Sequence, residues 1–237
     1  MRCCVMFKKY KYIWLVLALS TAVAVVTTNH FSKYVYSKIS AVANRKVVII
    51  DAGHGGFDPG ARYCDLSEKD INLQISGCLA DIFSLNGYQV VMTRQTDVST
   101  DTVGETTAEK KRSDLENRLA IMKQYPSSVF LSIHQNAFSG KSSGSQIFYR
   151  YNSIPSAQLA KEIQDSITSN LQKDNKRQHK ATKNDYYLIR NAPVPAVLIE
   201  CGFLSDAKEA KLLLDKEYQQ QLCLCIFNGV SRYLNVI

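Results

Sequence analysis

The sequence predicts one α/β domain, in which a mostly parallel twisted sheet of about six strands is flanked by helices on both faces. Short apolar runs rich in β-branched residues alternate with longer segments of helical period from residue 44 onward. This alternation is typical of parallel strands joined by crossover helices. No repeat with a period of roughly 20–50 residues interrupts it. Residues 44–237 are therefore assigned to a single domain, and residues 1–43 to a separate N-terminal segment.

The first half of the domain is predicted to contain three strands and two helices. The first strand ends at the glycine-rich turn Gly53–Gly56, and the first helix carries an apolar stripe that stops at Asn86-Gly87. Pro126 closes the second helix. In chain order, the predicted elements are strand Lys46–Asp51, helix Asp70–Leu85, strand Tyr88–Arg94, helix Arg112–Tyr125 and strand Val129–His134.

The second half is predicted to contain three more strands and three more helices. Leu159, Ile163 and Ile167 recur at the spacing of one helix face. The predicted elements are strand Ser145–Tyr151, helix Ser156–Leu171, strands Tyr186–Ile189 and Ala196–Glu200, and helices near Asp206–Leu214 and Glu217–Leu234.

The N-terminal segment has the layout of a secretion signal or a membrane anchor. Residues 13–26 are uncharged and apolar, and Lys8, Lys9 and Lys11 precede them. With two threonines included the run reaches about 16 residues, just below the roughly 17–25 that a spanning helix needs. Small residues at 22–24 and at 41–43 would suit cleavage. Export across a membrane is therefore expected, with cleavage and anchoring both left open.

The formal charge of +8 comes mainly from this segment. Six of the 29 basic residues and none of the 21 acidic residues lie in residues 1–43, so the domain itself holds 23 basic and 21 acidic residues. A nearly balanced domain has no basic face of the kind that binds nucleic acid. With 46% apolar and 21% charged residues, the composition also excludes a disordered chain.

The cysteines show no disulfide or zinc-ribbon pattern. Beyond Cys3 and Cys4, five remain in the domain, and no two of them form a Cys-x-x-Cys pair. An odd number leaves at least one thiol free, and most are expected to be small core residues. These five are Cys64, Cys78, Cys201, Cys223 and Cys225.

Ionisable residues follow three of the predicted strands, where α/β sheets bind their ligands. His54 comes just after the first strand, His134 ends the third and Glu200 ends the last, while Glu68 lies near the start of the first helix. Two histidines and a carboxylate are a common hydrolytic zinc set that leaves a position open for water. Each residue alone has an ordinary structural interpretation, such as a helix-start acid for Glu68. Their convergence at one sheet edge predicts a metal site.

Five sequence blocks resemble, in order, the signature blocks of the zinc-dependent N-acetylmuramoyl-L-alanine amidases. They are VVIIDAGHGGFDPGA, EKDINLQIS, TRQTD, FLSIHQNAF and PAVLIECGFLSD, and the resemblance covers residues 46–235. This chain consists of the domain and an N-terminal apolar segment. In this layout it is most similar to the germination-specific amidases of endospore-forming bacteria, which act on spore cortex. This chain has Ala52 where the family often has proline, Asp206 where it often has asparagine, and Lys176–His179 in place of an Arg-Gly segment.

The resemblance implies a function for four residues. Zn²⁺ would be held by His54, Glu68 and His134, and Glu200 would be the catalytic general acid and base. Asn136 would orient substrate, although a turn residue at that position is an equal alternative. Cys64 and Cys201 are the alternative metal ligands. The implied reaction is hydrolysis of the amide bond between N-acetylmuramic acid and L-alanine in peptidoglycan.

Three other interpretations stay open at this point. The domain could be a vegetative cell-wall amidase (an autolysin), a zinc peptidase that cuts within the stem peptide, or a wall-binding module without activity. The implied cortex function is removal of stem peptides ahead of muramic δ-lactam formation. It places the protein outside the cytoplasmic membrane, between forespore and mother cell. Because the domain has no wall-binding repeat, an exported accessory or activating protein is also expected.

Overall fold

The computed structural model describes residues 15–17, 19–21, 23–34, 45–138 and 142–236. The chain divides into two units, Met1–Arg45 and Lys46–Ile237. In the first unit, helix α1 (Leu15–Tyr34) is 20 residues long, enough by length and composition to cross a membrane. Its described side chains are all exposed.

The second unit alternates strands and helices, as the sequence predicts. Its strands are β1 (Val47–Ala52), β2 (Arg62–Tyr63), β3 (Leu66–Ser67), β4 (Gln89–Met92), β5 (Ser128–Asn136), β6 (Gln146–Arg150), β7 (Lys180–Thr182) and β8 (Ala196–Phe203). Its helices are α2 (Glu68–Leu85), α3 (Thr107–Gln124), α4 (Ile154–Asn170), α5 (Tyr187–Asn191), α6 (Ala207–Leu214) and α7 (Lys216–Val236). β2 and β3 form a separate antiparallel hairpin.

Six strands form the main sheet in the order β4-β1-β5-β8-β6-β7. All neighbouring strands are parallel except β6 and β8, which are antiparallel. The predicted fold class is therefore confirmed. The carboxyl ends of β1, β5 and β8 meet at one edge, because Ala52 pairs with Ile133 and His134 pairs with Glu200.

Two apolar layers cover the sheet. On one face, alternate strand residues such as Val48, Ile50 and Leu131 pack against α2, α4 and α7. On the other face, Ile49 and Phe130 pack against α3 and the short α5. Strands buried on both faces explain the near-continuous apolar runs in the sequence.

One predicted strand is wrong. Tyr186–Ile189 does not extend the sheet, because residues 187–191 form the short helix α5. Leu188 and Ile189 are both buried, which fits one turn of a helix lying on the sheet better than a strand with alternating faces. The sixth strand is instead β7, a three-residue edge strand whose Lys-Ala-Thr sequence has no apolar run to indicate it.

Several element boundaries differ from the prediction, and β8 continues three residues past Glu200 to Phe203. Helix α3 begins at Thr107, five residues before the predicted start at Arg112. Thr106 caps this helix and forms a reciprocal capping box with Glu109. Strand β5 continues past His134 to Asn136, with a register irregularity between these two residues.

Candidate metal centre

The three predicted metal ligands lie together at the carboxyl edge of the sheet. One ligand atom from each of His54, Glu68 and His134 lies within 4.8 Å of the others. Glu68 stands between the two imidazoles, with Oε2 3.2 Å from His54 Nε2 and Oε1 2.9 Å from His134 Nδ1. The imidazole rings are 4.9 Å apart and nearly perpendicular. Two imidazoles and one carboxylate around a single point are a donor set that suits zinc.

Parallel pairing of adjacent strands brings these ligands to one place. His134 lies on β5, and His54 follows the neighbouring strand β1 by two residues. His54 has a left-handed backbone conformation with φ 62°, which turns the chain sharply at the end of the strand. The β2–β3 hairpin then leads directly to Glu68, the first residue of α2.

Two glycines leave the space that the ligand side chains occupy. A Cβ at Gly53 would lie 2.3 Å from Cε1 and Nε2 of His134. A Cβ at Gly60 would lie 2.5 Å from Glu68 Oε2 and 2.7 Å from His54 Cδ2. Gly60 also has a φ of +66°, which glycine adopts without strain. The backbone is thus shaped around the three ligands, and the residues fit a metal ion.

Buried hydrogen bonds fix the carboxylate of Glu68. Its Oε2 accepts from the Ala61 amide at 2.8 Å, and its Oε1 accepts from the Gln135 amide at 3.0 Å. Asn72, one turn along α2, donates to the same Oε1 at 3.3 Å. Burial opposes ionisation, but the hydrogen bonds and charges of the two histidines outweigh it and lower the pKa of Glu68. The group is therefore a carboxylate, as a metal ligand must be.

Asp58 orients His54. The Asp58 carboxylate accepts a hydrogen bond from His54 Nδ1 at 2.8 Å, which leaves Nε2 facing Glu68. Lys111 of α3 donates to the same Asp58 oxygen at 2.7 Å. Burial disfavours the charged imidazole, but its hydrogen bonds to Asp58 and Glu68 raise the pKa of His54 to about 9. A carboxylate bonded to the far nitrogen is the usual partner of a zinc-bound histidine.

Two buried arginines hold the backbone that carries His54. Arg118 donates to the carbonyl oxygens of Ala52 and His54 at 2.9 and 2.8 Å. Arg94 donates to the carbonyls of Ala52 and Gly53 at 2.9 and 3.1 Å. Three successive carbonyls at the end of β1 are therefore bound by guanidinium groups.

Buried carboxylates balance the charge of Arg118. Its Nη1 donates to Asp51 at 2.6 Å and its Nε donates to Asp114 at 2.9 Å. Ser132 of β5 donates to the other Asp51 oxygen at 2.6 Å. Despite burial, the charge of Arg118 and the Ser132 hydrogen bond lower the pKa of Asp51. The guanidinium is thus fully paired although its residue is only 1% exposed.

Glu200 lies beside the ligand set. It pairs with His134 across β5 and β8, and both residues line one cavity of about 450 Å³. Its Oε2 is buried and has no hydrogen-bond partner among the described residues. Burial raises the pKa of Glu200 to about 7, and the nearby charge of Glu68 acts in the same direction. A carboxyl group that titrates near neutral pH can accept a proton and return it.

The cavity is a cleft between α3 and α5 with a mixed lining. Leu115, Leu188 and Leu198 form its apolar wall, while Lys111 and Asp185 add charge. Asn136 also lines it, so this residue lies where the sequence predicts substrate contacts, and its function stays a prediction.

The cysteines do not join the ligand set. Cys201 is fully buried, and its thiol lies near the Ile199 carbonyl within the apolar layer of α2, α4 and α7. That layer is on the opposite face of the sheet from Glu200, and Cys64 is exposed. Among the described residues, His54, Glu68 and His134 are the cluster able to bind a metal.

Sequence reasoning missed the residues that support the ligands: Asp51, Asp58, Arg94, Lys111 and Arg118. Asp51 gives a usable signal, because a charged residue ends the apolar run VVII just as Glu200 ends VLI. Arg118 lies in a helix with many charged residues and gives no such signal.

Comparisons with known proteins agree with this geometry. The sequence model of the N-acetylmuramoyl-L-alanine amidase family matches residues 48–232. The germination-specific N-acetylmuramoyl-L-alanine amidase of Bacillus subtilis is 36% identical over 192 residues, which are 79% of each chain.

Two solved structures share the fold. The CwlD amidase from Clostridioides difficile, in complex with the GerS lipoprotein, is 41% identical with a TM-score of 0.78, covering 81% of this chain and all of that one. An N-acetylmuramoyl-L-alanine amidase from Clostridium difficile 630 is 32% identical with a TM-score of 0.69, covering 81% and 98% of the two chains. With the family blocks, the ligand cluster and the fold in agreement, this chain belongs to the N-acetylmuramoyl-L-alanine amidase family.

Proposed function

We propose that the chain is a zinc-dependent amidase that cuts the bond between N-acetylmuramic acid and L-alanine in peptidoglycan, with His54, Glu68 and His134 as zinc ligands and Glu200 as the catalytic residue. The observation that carries this proposal is the buried Oε2 of Glu200, which has no hydrogen-bond partner in the described part of the chain and lies in a cavity shared with the three ligands. Zinc bound there would supply an activated water molecule and polarise the substrate carbonyl.

Proton transfer is the task of Glu200. As the water oxygen bonds to the lactyl carbonyl carbon, the Glu200 carboxylate accepts one proton from that water. It then donates the proton to the leaving nitrogen of L-alanine, so that the carbon–nitrogen bond breaks and the products are a carboxylic acid and an amine. A pKa of about 7 suits both transfers, because the group is easily deprotonated and easily reprotonated. Asn136 would orient the peptide in the cleft.

The experiment combines product analysis with one variant. Zinc-loaded protein should release peptides with a free N-terminal L-alanine and leave bare glycan strands, whereas a stem peptidase would leave L-alanine on the glycan. Glu200→Gln should lower turnover at least 100-fold with unchanged zinc content, because it removes only the proton carrier. Glu116→Gln on the exposed side of α3 is the matched control. Near-normal turnover by Glu200→Gln would refute the assignment.

The spore cortex is the proposed substrate. Support comes from the germination-specific relative in Bacillus subtilis and from the similarity to CwlD. Removal of stem peptides there would prepare the glycan for muramic δ-lactam formation. Mass spectrometry of cortex fragments from a strain lacking the protein should then show no δ-lactam. Normal δ-lactam with altered vegetative wall would support the autolysin alternative instead.

Residues 1–43 are proposed as an export signal or anchor, and residues 44–237 as the catalytic domain that it places outside the cytoplasmic membrane. The length and apolar composition of α1 support this arrangement, and in a sporulating cell the location would be the space between forespore and mother cell. The domain carries 23 basic and 21 acidic residues, so charge alone gives weak attraction to an anionic wall at physiological salt. Since the CwlD structure contains a lipoprotein, an exported accessory protein is proposed here as well.

A further inference from the structure

Tyr186 lies over the part of the sheet that carries Glu200. It is the residue immediately before α5, and its ring packs against Phe148 of β6 with the ring centres 5.3 Å apart. Phe148 pairs with Leu198 of β8, two residues before Glu200 on the same face of the sheet. Tyr186, Leu198 and Glu200 all line the cavity that contains the metal ligands.

The phenol of Tyr186 carries a hydroxyl that can donate a hydrogen bond to a bound molecule. Its hydroxyl has no hydrogen-bond partner among the described residues. Burial raises the pKa of Tyr186 to about 12, and the charges of Glu200, Asp185 and Glu68 act in the same direction. The hydroxyl therefore keeps its proton throughout the pH range in which Glu200 titrates, and it can donate but does not act as a base.

The cationic groups of the cavity are already engaged. Lys111 is bound to Asp58, and Arg118 is bound to Asp51 and Asp114. Bound zinc would polarise the scissile carbonyl oxygen, but no unpaired lysine or arginine lies among the described residues that line the cavity. A neutral donor with a free hydroxyl is therefore suited to add to the stabilisation of the negative charge on that oxygen.

We propose that the Tyr186 hydroxyl donates a hydrogen bond to the scissile carbonyl oxygen as that oxygen gains negative charge in the transition state. The phenol keeps its proton, and no bond of Tyr186 forms or breaks. The inference rests on the proposed amide hydrolysis and adds a catalytic residue to it. A donor placed in this way typically contributes about 10²–10³-fold in rate. We expect about 10–100-fold here because Tyr186 is only half-buried.

The test compares Tyr186→Phe with Tyr149→Phe in the zinc-loaded, full-length protein in detergent. Phenylalanine keeps the ring that packs on Phe148 and removes only the hydroxyl. Tyr149 of β6 is the matched control, because it packs on the opposite face of the sheet, with its ring centre 5.7 Å from that of His179, and is not among the residues that line the cavity. With a soluble muramoyl peptide as substrate, Tyr186→Phe should lower kcat about 10–100-fold and leave KM within about twofold.

A second readout separates transition-state binding from packing. A phosphinate analogue of the muramoyl–alanine amide is tetrahedral and anionic, and its affinity for Tyr186→Phe should fall by the same factor as kcat/KM. Zinc content and melting temperature should match those of the wild type. Wild-type kcat in Tyr186→Phe, a change in KM alone, or a similar loss in Tyr149→Phe would each overturn the proposal.

Glu200→Gln in the same assay distinguishes failure of the Tyr186 proposal from failure of the proposed reaction. If Glu200→Gln is inactive and Tyr186→Phe is fully active, the proposal for Tyr186 is wrong and the proposed reaction stands. If the wild-type protein releases no peptide with N-terminal L-alanine, the proposed reaction itself is wrong.

Discussion

Gly53 lies directly against the imidazole of His134, so closely that a Cβ on Gly53 would stand 2.3 Å from two ring atoms. Because real side-chain atoms do not approach at this distance, the position of the second predicted histidine ligand depends on the missing side chain of the residue that follows the neighbouring strand β1. The metal centre is therefore shaped by backbone as much as by ligands.

Gly53→Ala should displace the His134 ring and lower zinc affinity at least tenfold, measured by competition with a chelator. Gly77 of α2 is the matched control, since a Cβ there meets no atom within 4 Å. Gly77→Ala should keep zinc and raise the free energy of unfolding by about 0.5–1 kcal/mol, because alanine favours the helix. Equal zinc affinity in both variants would contradict this account.

Asp58→Asn should weaken zinc binding by about 10–100-fold, because the amide holds the His54 imidazole less firmly than a carboxylate does. The measurement is a zinc titration of protein stripped by a chelator. Asp97→Asn is the control, since Asp97 accepts from the Gly56 amide in the same loop but does not touch His54. Should the two variants bind zinc equally well, Asp58 does not orient His54 for zinc binding.

Arg118→Met should destabilise the domain by about 3–5 kcal/mol, because it leaves the buried carboxylate of Asp51 without its cation. Chemical denaturation at neutral pH measures the loss. Arg112→Met on the same helix removes an exposed pair with Glu116 and should change stability little, because water screens such a pair. Adding Asp51→Asn to Arg118→Met should recover part of the stability, and no recovery would mean that charge pairing is not the cause.

Glu200→Gln should change how the free energy of unfolding depends on pH. Burial raises the pKa of Glu200 from 4.5 to about 7 in the folded protein, so between these values the unfolded chain has released a proton that the folded chain retains. Wild-type stability therefore falls, relative to Glu200→Gln, as pH rises from about 4.5 to 7, by about 3 kcal/mol in total. Denaturation of chelator-stripped proteins at several pH values tests this sign. A constant difference would show that folding does not raise the pKa of Glu200.

The main parts of the site could be predicted because they depend on strands that are visible in the sequence. His134 and Glu200 each end an apolar run, and the ends of parallel strands meet at one edge of the sheet. Helical period predicts α2 equally well, and with it the place of Glu68 at the helix start. Local pattern and three-dimensional position agree at these residues.

The supporting residues could not be found in this way. Arg118 contacts Asp51 across 67 positions of sequence, and nothing near Arg118 indicates that its guanidinium is buried. The prediction of a strand at Tyr186–Ile189 is wrong for a different reason, since four apolar residues fit a strand or a helical turn equally well. Packing on β6 and β8 decides in favour of the helix, and this contact has no local sequence signal.

Backbone pairing of His134 with Glu200 keeps the chemistry of the site independent of substrate recognition, so recognition can change in evolution on its own. The spacing between the proposed ligands and Glu200, the proposed proton carrier, is set by main-chain hydrogen bonds of two central strands, and loop changes leave those bonds intact. The cleft walls, by contrast, come from α3, from α5 and from the connections around them, which tolerate insertion and substitution. Members of such a family can therefore diverge in the wall polymer they accept while the chemistry stays constant.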